Sequence, residues 1–361
     1  MPAHQKLARC LNTNKHTMVI ETRKEGLYCK AGDFYIDPVR PVARAVVTHA
    51  HSDHARSGNE MYYASPRSEA LLRKRLGNQI DFYALPFGEQ VRFGDAVVSL
   101  HPAGHVLGSA QVRVQAEGEV WVVSGDYKRD ADPTCESFEV VPCDTFITEA
   151  TFALPIYHWP SIDAVVESIH AWWMANRIRG RASVLFCYSL GKAQRVLGAL
   201  QDLADRPVLL HGAVAPLTQI YREEGIQLAP TDLAVNDRTR RGQDYSQDLI
   251  IAPPGANGTP WMRRFGKCSS AFCSGWMQVR GNRRRRGHDR GFVLSDHADW
   301  EGLIRTIKET GARRILATHG QSDILVRYLR ERGYEADAIR SRFDSARQED
   351  DAESKEEGAK T

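Results

Sequence analysis

The chain lacks long hydrophobic runs. None of its apolar stretches approaches the ~20 residues that a membrane-spanning helix needs, so the sequence predicts no membrane partner. The first six residues, Met-Pro-Ala-His-Gln-Lys, also lack the apolar centre of a secretory signal peptide, and we therefore expect a cytoplasmic protein. The absence of a repeat at a fixed period excludes a solenoid or propeller array.

Cysteine is sparse and has no paired spacing. The chain has seven cysteines and no C-x-x-C pair, the spacing that marks many zinc-binding and thiol redox sites. An odd number of cysteines without such pairs predicts free thiols in a reducing compartment. A disulfide scaffold and a cysteine zinc site are both disfavoured.

The net charge is small, but it is unevenly distributed. The whole chain carries +3, whereas the seven acidic and three basic residues from position 344 onwards give that segment −4. Residues 1–343 therefore carry +7, a modest excess that suits a polyanionic partner such as nucleic acid. Residues 343–361 have almost no large apolar side chains, and we expect them to form a disordered acidic tail.

Metal-ligating side chains are concentrated in one short segment. Residues 49–54 read His-Ala-His-Ser-Asp-His, directly after an apolar run that predicts a strand. Few structural roles require three imidazoles and a carboxylate in six positions, whereas neutral imidazole and carboxylate suit zinc, manganese or iron. The sequence therefore predicts that His49, His51, Asp53 and His54 are metal ligands.

Three further candidate ligands follow the first cluster along the chain. His105 lies in a glycine-flanked turn, while Asp126 and His319 each follow a short apolar run. All three are placed where a predicted strand gives way to a loop, the position from which rigid elements present groups to a site. Singly each is a weak signal, but their order behind residues 49–54 indicates a common metal site.

Taken together, these four segments resemble the metallo-β-lactamase superfamily. Residues 148–152 (Thr-Glu-Ala-Thr-Phe), 295–299 (Ser-Asp-His-Ala-Asp) and 318–320 (Thr-His-Gly) further resemble its nucleic-acid-processing β-CASP branch. Within that branch the chain is most similar to the bacterial ligase-associated DNA exonucleases, from about position 27 to about 334. This similarity includes residues 188–194, residues 274–277 and an arginine-rich run.

The resemblance implies a ligand set for two divalent ions, zinc by preference or manganese. His49, His51 and His105 would hold one ion, Asp53, His54 and His319 the other, and Asp126 would bridge them. Two ions held close together activate water and neutralise charge on a phosphate under attack. The resemblance also implies that His297 is the general acid and that Glu149 orients it.

The same resemblance, with the local patterns, predicts the domain organisation. Strands expected at 45–48, 96–100, 110–115, 120–124 and 144–148 fill the first 150 residues, with a helix capped by Ser65. From Ser161, expected to cap the next helix, helix and strand alternate, which is typical of a parallel sheet with helices on both faces. Because Asp126 and His319 are 193 residues apart, the chain must leave and return. We therefore expect an αββα metallo-β-lactamase sandwich (1–150 and 295–342) with an inserted α/β β-CASP cap domain (151–294).

Two segments are candidates for binding substrate. Ser189 and Lys192 precede a predicted helix, whose first amides could bind phosphate, although a plain strand–helix turn remains an alternative. The second candidate is the arginine run, whose guanidinium groups suit phosphate contacts: Arg283, Arg284, Arg285 and Arg286.

The sequence therefore predicts a two-metal phosphodiesterase, most simply a DNA exonuclease in repair. A β-CASP ribonuclease is the main alternative, because His319 resembles the residue of the RNA-processing members at that motif. A non-catalytic binding subunit and a small-ester hydrolase are further alternatives. The family name also implies a functional association with an ATP-dependent DNA ligase.

Overall fold

The computed structural model describes residues 18–235, 242–279 and 287–339. The predicted acidic tail and the four arginines at 283–286 lie outside these residues. The strands are β1 (Ile20–Arg23), β2 (Gly26–Cys29), β3 (Phe34–Ile36), β4 (Arg44–Val46), β5 (Met61–Ala64), β6 (Phe82–Ala84), β7 (Val91–Phe93), β8 (Ala96–Pro102), β9 (Ala110–Ala116), β10 (Glu119–Val123), β11 (Thr145–Glu149), β12 (Ala182–Phe186), β13 (Val208–Leu210), β14 (Thr231–Leu233), β15 (Leu249–Ala252), β16 (Cys268–Cys273), β17 (Arg290–Phe292), β18 (Arg314–Thr318) and β19 (Glu335–Ala338).

The described residues contain fewer helical segments than strands. The α-helices are α1 (Glu69–Leu76), α2 (Ile162–Ile178), α3 (Lys192–Ala199), α4 (Ala215–Glu223), α5 (Trp300–Thr310) and α6 (Ser322–Arg330). Short 3₁₀ turns occur at Pro66–Ser68, Pro254–Ala256, Pro260–Phe265 and Gly275–Gln278. No helix in the described part of the chain is long and apolar enough to cross a membrane.

Two sheets face each other across a shared hydrophobic core. The first sheet runs β1-β2-β3-β4-β5-β6, and the second runs β19-β18-β11-β10-β9-β8-β7. In β9 the side chains alternate, so Val112 and Val114 are buried while Arg113 and Gln115 are more exposed. Strand residues from the two sheets form one buried cluster that includes Phe34, Val46, Val98, Val112 and Trp121.

Helices cover the outer faces of both sheets. Leu303 of α5 and Leu325 of α6 join Phe146 and Ile315 in a cluster outside the second sheet. Leu71 of α1 joins a separate cluster that includes residues of the first sheet. The predicted mixed α/β class is thus confirmed, with helices outside a pair of packed sheets.

A third sheet contains the strands between 182 and 292. Its order is β14-β13-β15-β12-β16-β17, and every pair in it is parallel, as predicted. The sequence predicted helices on both faces, and in the described residues the α-helices cover only one of them. Helices α2, α3 and α4 contribute to one core cluster, whereas 3₁₀ segments carrying Phe265 and Met277 cover the other face. Proline and glycine are frequent between 253 and 266, and both disfavour a longer helix there.

The chain leaves the second sheet after β11 and returns to it as β18. These two strands pair in parallel, with Ile147 opposite Leu316 and Glu149 opposite Thr318. The excursion between them contains the whole third sheet. Strand β17, just before the chain returns, still belongs to the third sheet, where it pairs with β16. The domain boundaries at 150 and 295 stay a prediction.

Two predicted helix caps have different outcomes. Ser161 caps α2, since its hydroxyl oxygen accepts a hydrogen bond from the Ala164 amide at 3.4 Å. Ser65 does not cap through its side chain, because its hydroxyl donates to the Gly108 carbonyl at 2.5 Å. Residues 66–68 form a 3₁₀ turn before α1 begins.

A substitution of Trp121 tests the packing of the core between the first two sheets. Trp121 is fully buried, and its indole donates to Glu119 at 2.8 Å. Trp121→Ala should lower the free energy of unfolding by about 3–5 kcal/mol, because it leaves a large cavity. Urea denaturation measures the change, and Ile178→Ala, at an 88% exposed residue, is the control. A loss below about 1 kcal/mol for Trp121→Ala would contradict this packing.

Candidate metal centre

The predicted ligands lie in loops that follow four strands. The segment carrying His49, His51 and His54 follows β4, and His105 lies between β8 and β9. Asp126 follows β10, and His319 follows β18 directly. Strand ends thus deliver these side chains to one place, as the sequence predicted.

One oxygen of Asp126 lies at the centre of the group. Its Oδ2 is 3.6 Å from His49 Nε2, 3.5 Å from His54 Nε2 and 3.8 Å from His105 Nε2. These separations exceed the usual length of a hydrogen bond. Two ligands of one tetrahedral zinc ion, each bonded at ~2.1 Å, would lie about 3.4 Å apart. The spacing therefore fits side chains that share a cation.

The tautomer of His49 leaves a buried lone pair facing Asp126. The Thr48 hydroxyl donates to Asp37 Oδ2 at 2.6 Å, so it accepts from His49 Nδ1, 3.0 Å away. His49 Nε2 then carries no hydrogen, and this buried atom has no hydrogen-bond partner among the described residues. Because buried polar atoms are normally satisfied, this nitrogen fits a metal ligand.

His51 and His105 present two lone pairs to each other. The carbonyl of Asp296 accepts from His105 Nδ1 at 2.9 Å, and the carbonyl of Leu190 is 3.3 Å from His51 Nε2. Carbonyl oxygens only accept, so the hydrogen of each neutral ring is on the nitrogen that faces its carbonyl. His105 Nε2 and His51 Nδ1 are then 3.0 Å apart with no hydrogen between them. A shared cation would remove this repulsion.

The environment keeps most of these imidazoles neutral. Burial lowers the pKa of His49 and His105 well below the usual range, and neighbouring imidazoles add to the effect. Burial also lowers the pKa of His51 to about 4. Neutral imidazoles can coordinate a metal, so the donor set fits divalent ions.

His54 behaves differently from its neighbours. Burial opposes its protonation, but the carboxylates of Asp53, Asp126 and Asp37 raise its pKa well above the usual value. Asp126, in turn, has a pKa held well below its usual range, because the attraction of His54 and His297 exceeds the effect of burial. The three carboxylates thus favour positive charge at the centre, which a divalent cation would supply.

Asp37 supports the centre from behind and was missed in the sequence. Its carboxylate accepts from the Thr48 amide at 2.8 Å, the Thr48 hydroxyl at 2.6 Å and His54 Nδ1 at 2.7 Å. Its backbone has a φ of +44°, a rare value for a residue other than glycine. Only its place after a short strand could have suggested this role, and an aspartate before proline usually indicates a turn.

Asp53 and His319 complete the predicted set. Asp53 Oδ2 lies 3.5 Å from His54 Nε2, and the ring centroids of His54 and His319 are 5.6 Å apart. The Thr318 hydroxyl donates to the Thr148 carbonyl at 3.3 Å, so it accepts from His319 Nδ1 at 3.1 Å. The φ of His319 is +58°, which turns the chain sharply after β18. The structure brings the seven predicted residues together, and their division between two ions stays a prediction.

Glu149 and His297 form a pair beside this cluster. His297 Nδ1 is 2.8 Å from Glu149 Oε2, and the Tyr127 amide donates to Glu149 Oε1 at 2.8 Å. Glu149 is buried, whereas the side chain of His297 is 17% exposed. Ligand atoms of Asp126, Glu149 and His297 lie within 4.8 Å of one another. Glu149 thus fixes one side of the imidazole, while the ring remains accessible next to Asp126.

The predicted substrate-binding residues lie in different environments. Lys192 is buried, and its ammonium lies 3.2 Å from Asp296 Oδ2. Ser189 is also buried, and its hydroxyl has no hydrogen-bond partner in the part of the chain that the structure describes. In this arrangement the Lys192 ammonium is already neutralised by a carboxylate. The contact of Ser189 and Lys192 with a substrate stays a prediction, as does that of Arg283, Arg284, Arg285 and Arg286, which lie outside the described residues.

Comparisons with known proteins give partial similarities. No family model matches the chain. A protein named "Probable DNA ligase" from Opitutus terrae is 34% identical over 319 residues, which is 87% of this chain and 30% of that protein. Endoribonuclease YSH1 of Saccharomyces cerevisiae is 32% identical over 105 residues, 28% of this chain and 13% of that protein. Endoribonuclease YSH1 of Gibberella zeae is 33% identical over 111 residues, 29% and 13% of the two chains.

These relatives are much longer than the matched segments. The chain spans less than one third of the curated relatives that it matches. Among solved structures, a protein of unknown function from Enterococcus faecalis superposes with a TM-score of 0.54 at 13% identity, covering 83% of this chain and 80% of that one. This likeness concerns the fold alone.

Asp37 provides a test of the centre that does not require an activity. Asp37→Asn should weaken zinc binding about 10- to 100-fold, because the amide can no longer accept from both Thr48 and His54. Titration against a chelating indicator measures the affinity. The exposed Asp202→Asn is the matched control and should bind zinc as the unmodified protein does. Equal affinities for the two variants would contradict a supporting role for Asp37.

Proposed function

We propose that this chain is a metal-dependent nuclease. In the finer form of the proposal, it is a DNA exonuclease of repair with a metallo-β-lactamase sandwich and an inserted β-CASP cap. The observation that supports it best is the convergence of the seven predicted ligands, in which one oxygen of Asp126 faces three imidazoles and the Glu149–His297 pair lies beside them. Similarity to nucleases and to a ligase-named protein agrees with a nucleic acid substrate.

The ligand assignment follows the resemblance given above. His49, His51 and His105 would hold one ion, Asp53, His54 and His319 the other, and Asp126 both. Zinc is the preferred ion, with manganese as the second choice, because imidazole and carboxylate ligands suit both. When bound, such ions supply Lewis-acid activation of water and neutralise phosphate charge.

His297 is proposed to protonate the leaving oxygen of the cleaved bond. Its Nδ1 is held by Glu149 at 2.8 Å, so the proton would be delivered from Nε2. The indole of Trp159 donates to the His297 carbonyl at 2.8 Å, and the Ser295 hydroxyl accepts from the His297 amide at 3.1 Å. These contacts fix the backbone as well as the ring, which suits a group that must meet one oxygen.

The third sheet is proposed to form the other wall of a nucleic acid groove. The Leu190 carbonyl, in the loop after β12, lies 3.3 Å from His51 Nε2. The loop that carries His297 follows β17 of the same sheet. Loops at the carboxyl ends of parallel strands therefore border the metal centre, and these ends commonly bind ligands in α/β sheets.

DNA is preferred over RNA as the substrate because of the extent of the similarities. The ligase-named relative matches 87% of the chain, whereas the endoribonucleases match 28% and 29%. The same relative supports a functional association with a DNA ligase, and the resemblance given above implies an ATP-dependent one. A ribonuclease acting on RNA ends is the second candidate, supported by the endoribonuclease similarity and by the histidine at position 319.

A substrate survey tests the proposal. End-labelled DNA and RNA, single and double stranded, are incubated with purified protein and either zinc or manganese. We expect successive shortening of DNA from one end, and Asp126→Asn should abolish it because one oxygen of Asp126 faces three imidazoles. Preferred cleavage of RNA would select the second candidate. Cleavage of neither polymer with either ion, or full activity of Asp126→Asn, would contradict the proposal.

His297→Ala separates proton transfer from metal binding. The variant should lose about 10²–10⁴-fold in kcat, because it lacks the proposed proton donor. Its metal content by elemental analysis should stay at the level of the unmodified protein. His158→Ala, at a 48% exposed side chain, is the control and should keep its rate. If His297→Ala lost metal together with activity, its role would be that of a ligand.

A further inference from the structure

Four buried charged side chains connect helix α3 to the metal centre. Lys192 and Arg195 project from α3, and their partners are Asp132 and Asp296. None of these side chains is more than 4% exposed. We call Lys192, Arg195, Asp132 and Asp296 the tetrad, which contains two cations and two anions and is neutral overall. Although burial opposes it, the charges of Lys192 and Arg195 hold the pKa of Asp296 below its usual range.

Arg195 uses its whole guanidinium group. Its Nε forms an ion pair with Asp132 and lies 3.5 Å from Asp296 Oδ1. Its Nη1 donates to the Ser295 carbonyl at 2.9 Å, and its Nη2 donates to the His105 carbonyl at 3.2 Å. One side chain from the third sheet thus holds two backbone segments that carry predicted metal-centre residues.

Both of these segments determine where His105 points. Arg195 fixes the backbone of His105 directly through its carbonyl. It also fixes the Ser295–Asp296 segment, and the Asp296 carbonyl accepts from His105 Nδ1 at 2.9 Å. The backbone of His105 is therefore held by Arg195 directly, and its ring is held by a segment that Arg195 also holds.

We propose that Arg195 is a positioning residue that sets the imidazole of His105 and the loop that carries His297. The inference rests on the proposed metal centre, and it adds a residue from the third sheet to the machinery of that centre. It explains why an arginine is present, since only a planar fork with several donors can reach two carbonyls and two carboxylates together.

The close docking of α3 agrees with this role. Gly191, directly before α3, has a φ of +83°, and a Cβ there would collide with Cγ1 of Val106, the neighbour of His105. The helix can approach the His105 loop because residue 191 is glycine. The orientation of His105 therefore depends on how α3 and the third sheet pack against the His105 loop.

Two variants separate positioning from simple charge balance. Arg195→Lys keeps the positive charge but loses the fork. The pair Arg195→Met with Asp132→Asn removes one cation and one anion together, so that no unpaired charge is buried. Both proteins should fold, as judged by circular dichroism and a thermal midpoint close to that of the unmodified protein.

In both variants, one of the two zinc ions should bind about 10- to 100-fold more weakly, because the imidazole of His105 loses its support. The other ion should keep its affinity. Chelator competition measures both affinities, and the visible spectrum of cobalt-loaded protein should change in shape because it reports the ligand geometry. The value of kcat should fall with occupancy of the weakened site.

The control pair is Arg177→Met with Asp205→Asn, an ion pair whose side chains are 22% and 58% exposed. It should leave both affinities and the cobalt spectrum unchanged. If the Arg195–Asp132 double variant binds two ions with unchanged affinity and an unchanged spectrum, Arg195 is structural and the proposal is overturned. If the unmodified protein binds two ions but cleaves no nucleic acid, the nuclease proposal fails while the metal measurements still decide the role of Arg195.

Discussion

The structure around the candidate centre depends on one carboxylate oxygen, Asp126 Oδ2. It faces the Nε2 atoms of His49, His54 and His105 at 3.5–3.8 Å, too far for hydrogen bonds and close enough for shared coordination. To bring these groups together, the chain must deliver three loops to the ends of two facing sheets. The long excursion between β11 and β18 then allows His319 to join from a distant part of the sequence.

The supporting contacts follow a consistent pattern. Five imidazoles each donate the hydrogen of one ring nitrogen to a fixed oxygen. The other ring nitrogen then faces the centre. The oxygen belongs to Thr48 for His49, Thr318 for His319, Asp37 for His54 and a backbone carbonyl for His51 and His105. Such contacts orient the imidazoles before an ion binds, and they raise the basicity of the ring, which makes it a better metal ligand. A threonine directly before the histidine provides this support twice, at positions 48 and 318.

The sequence predicted the candidate ligands better than it predicted their support. His49, His51, Asp53 and His54 form a compact string, and the pattern of β9 and β10 was readable because apolar residues alternate or run together there. Asp37 was not predictable, since its role depends on a contact with a histidine 17 residues away and on a φ of +44°. Short strands such as β3 and β14 have three residues each and carry too little periodicity to be recognised. The alternation of strands and helices predicted helices on both faces of the third sheet, but such a pattern does not report that one face is covered by short 3₁₀ segments instead.

The tetrad at α3 shows how the helix beside the third sheet constrains the loops of the candidate metal centre. Burying four charges is expensive, and an apolar replacement of a buried ion pair is often equally stable or more so. Stability alone therefore gives a weak reason for placing Arg195 and Asp132 in the interior. The directionality of hydrogen bonds gives a stronger reason, because the guanidinium group of Arg195 donates to the carbonyls of Ser295 and His105 with defined geometry. Apolar packing could hold α3 in place, but it could not specify the angle of the His105 ring, on which its contact with Asp126 and His51 depends.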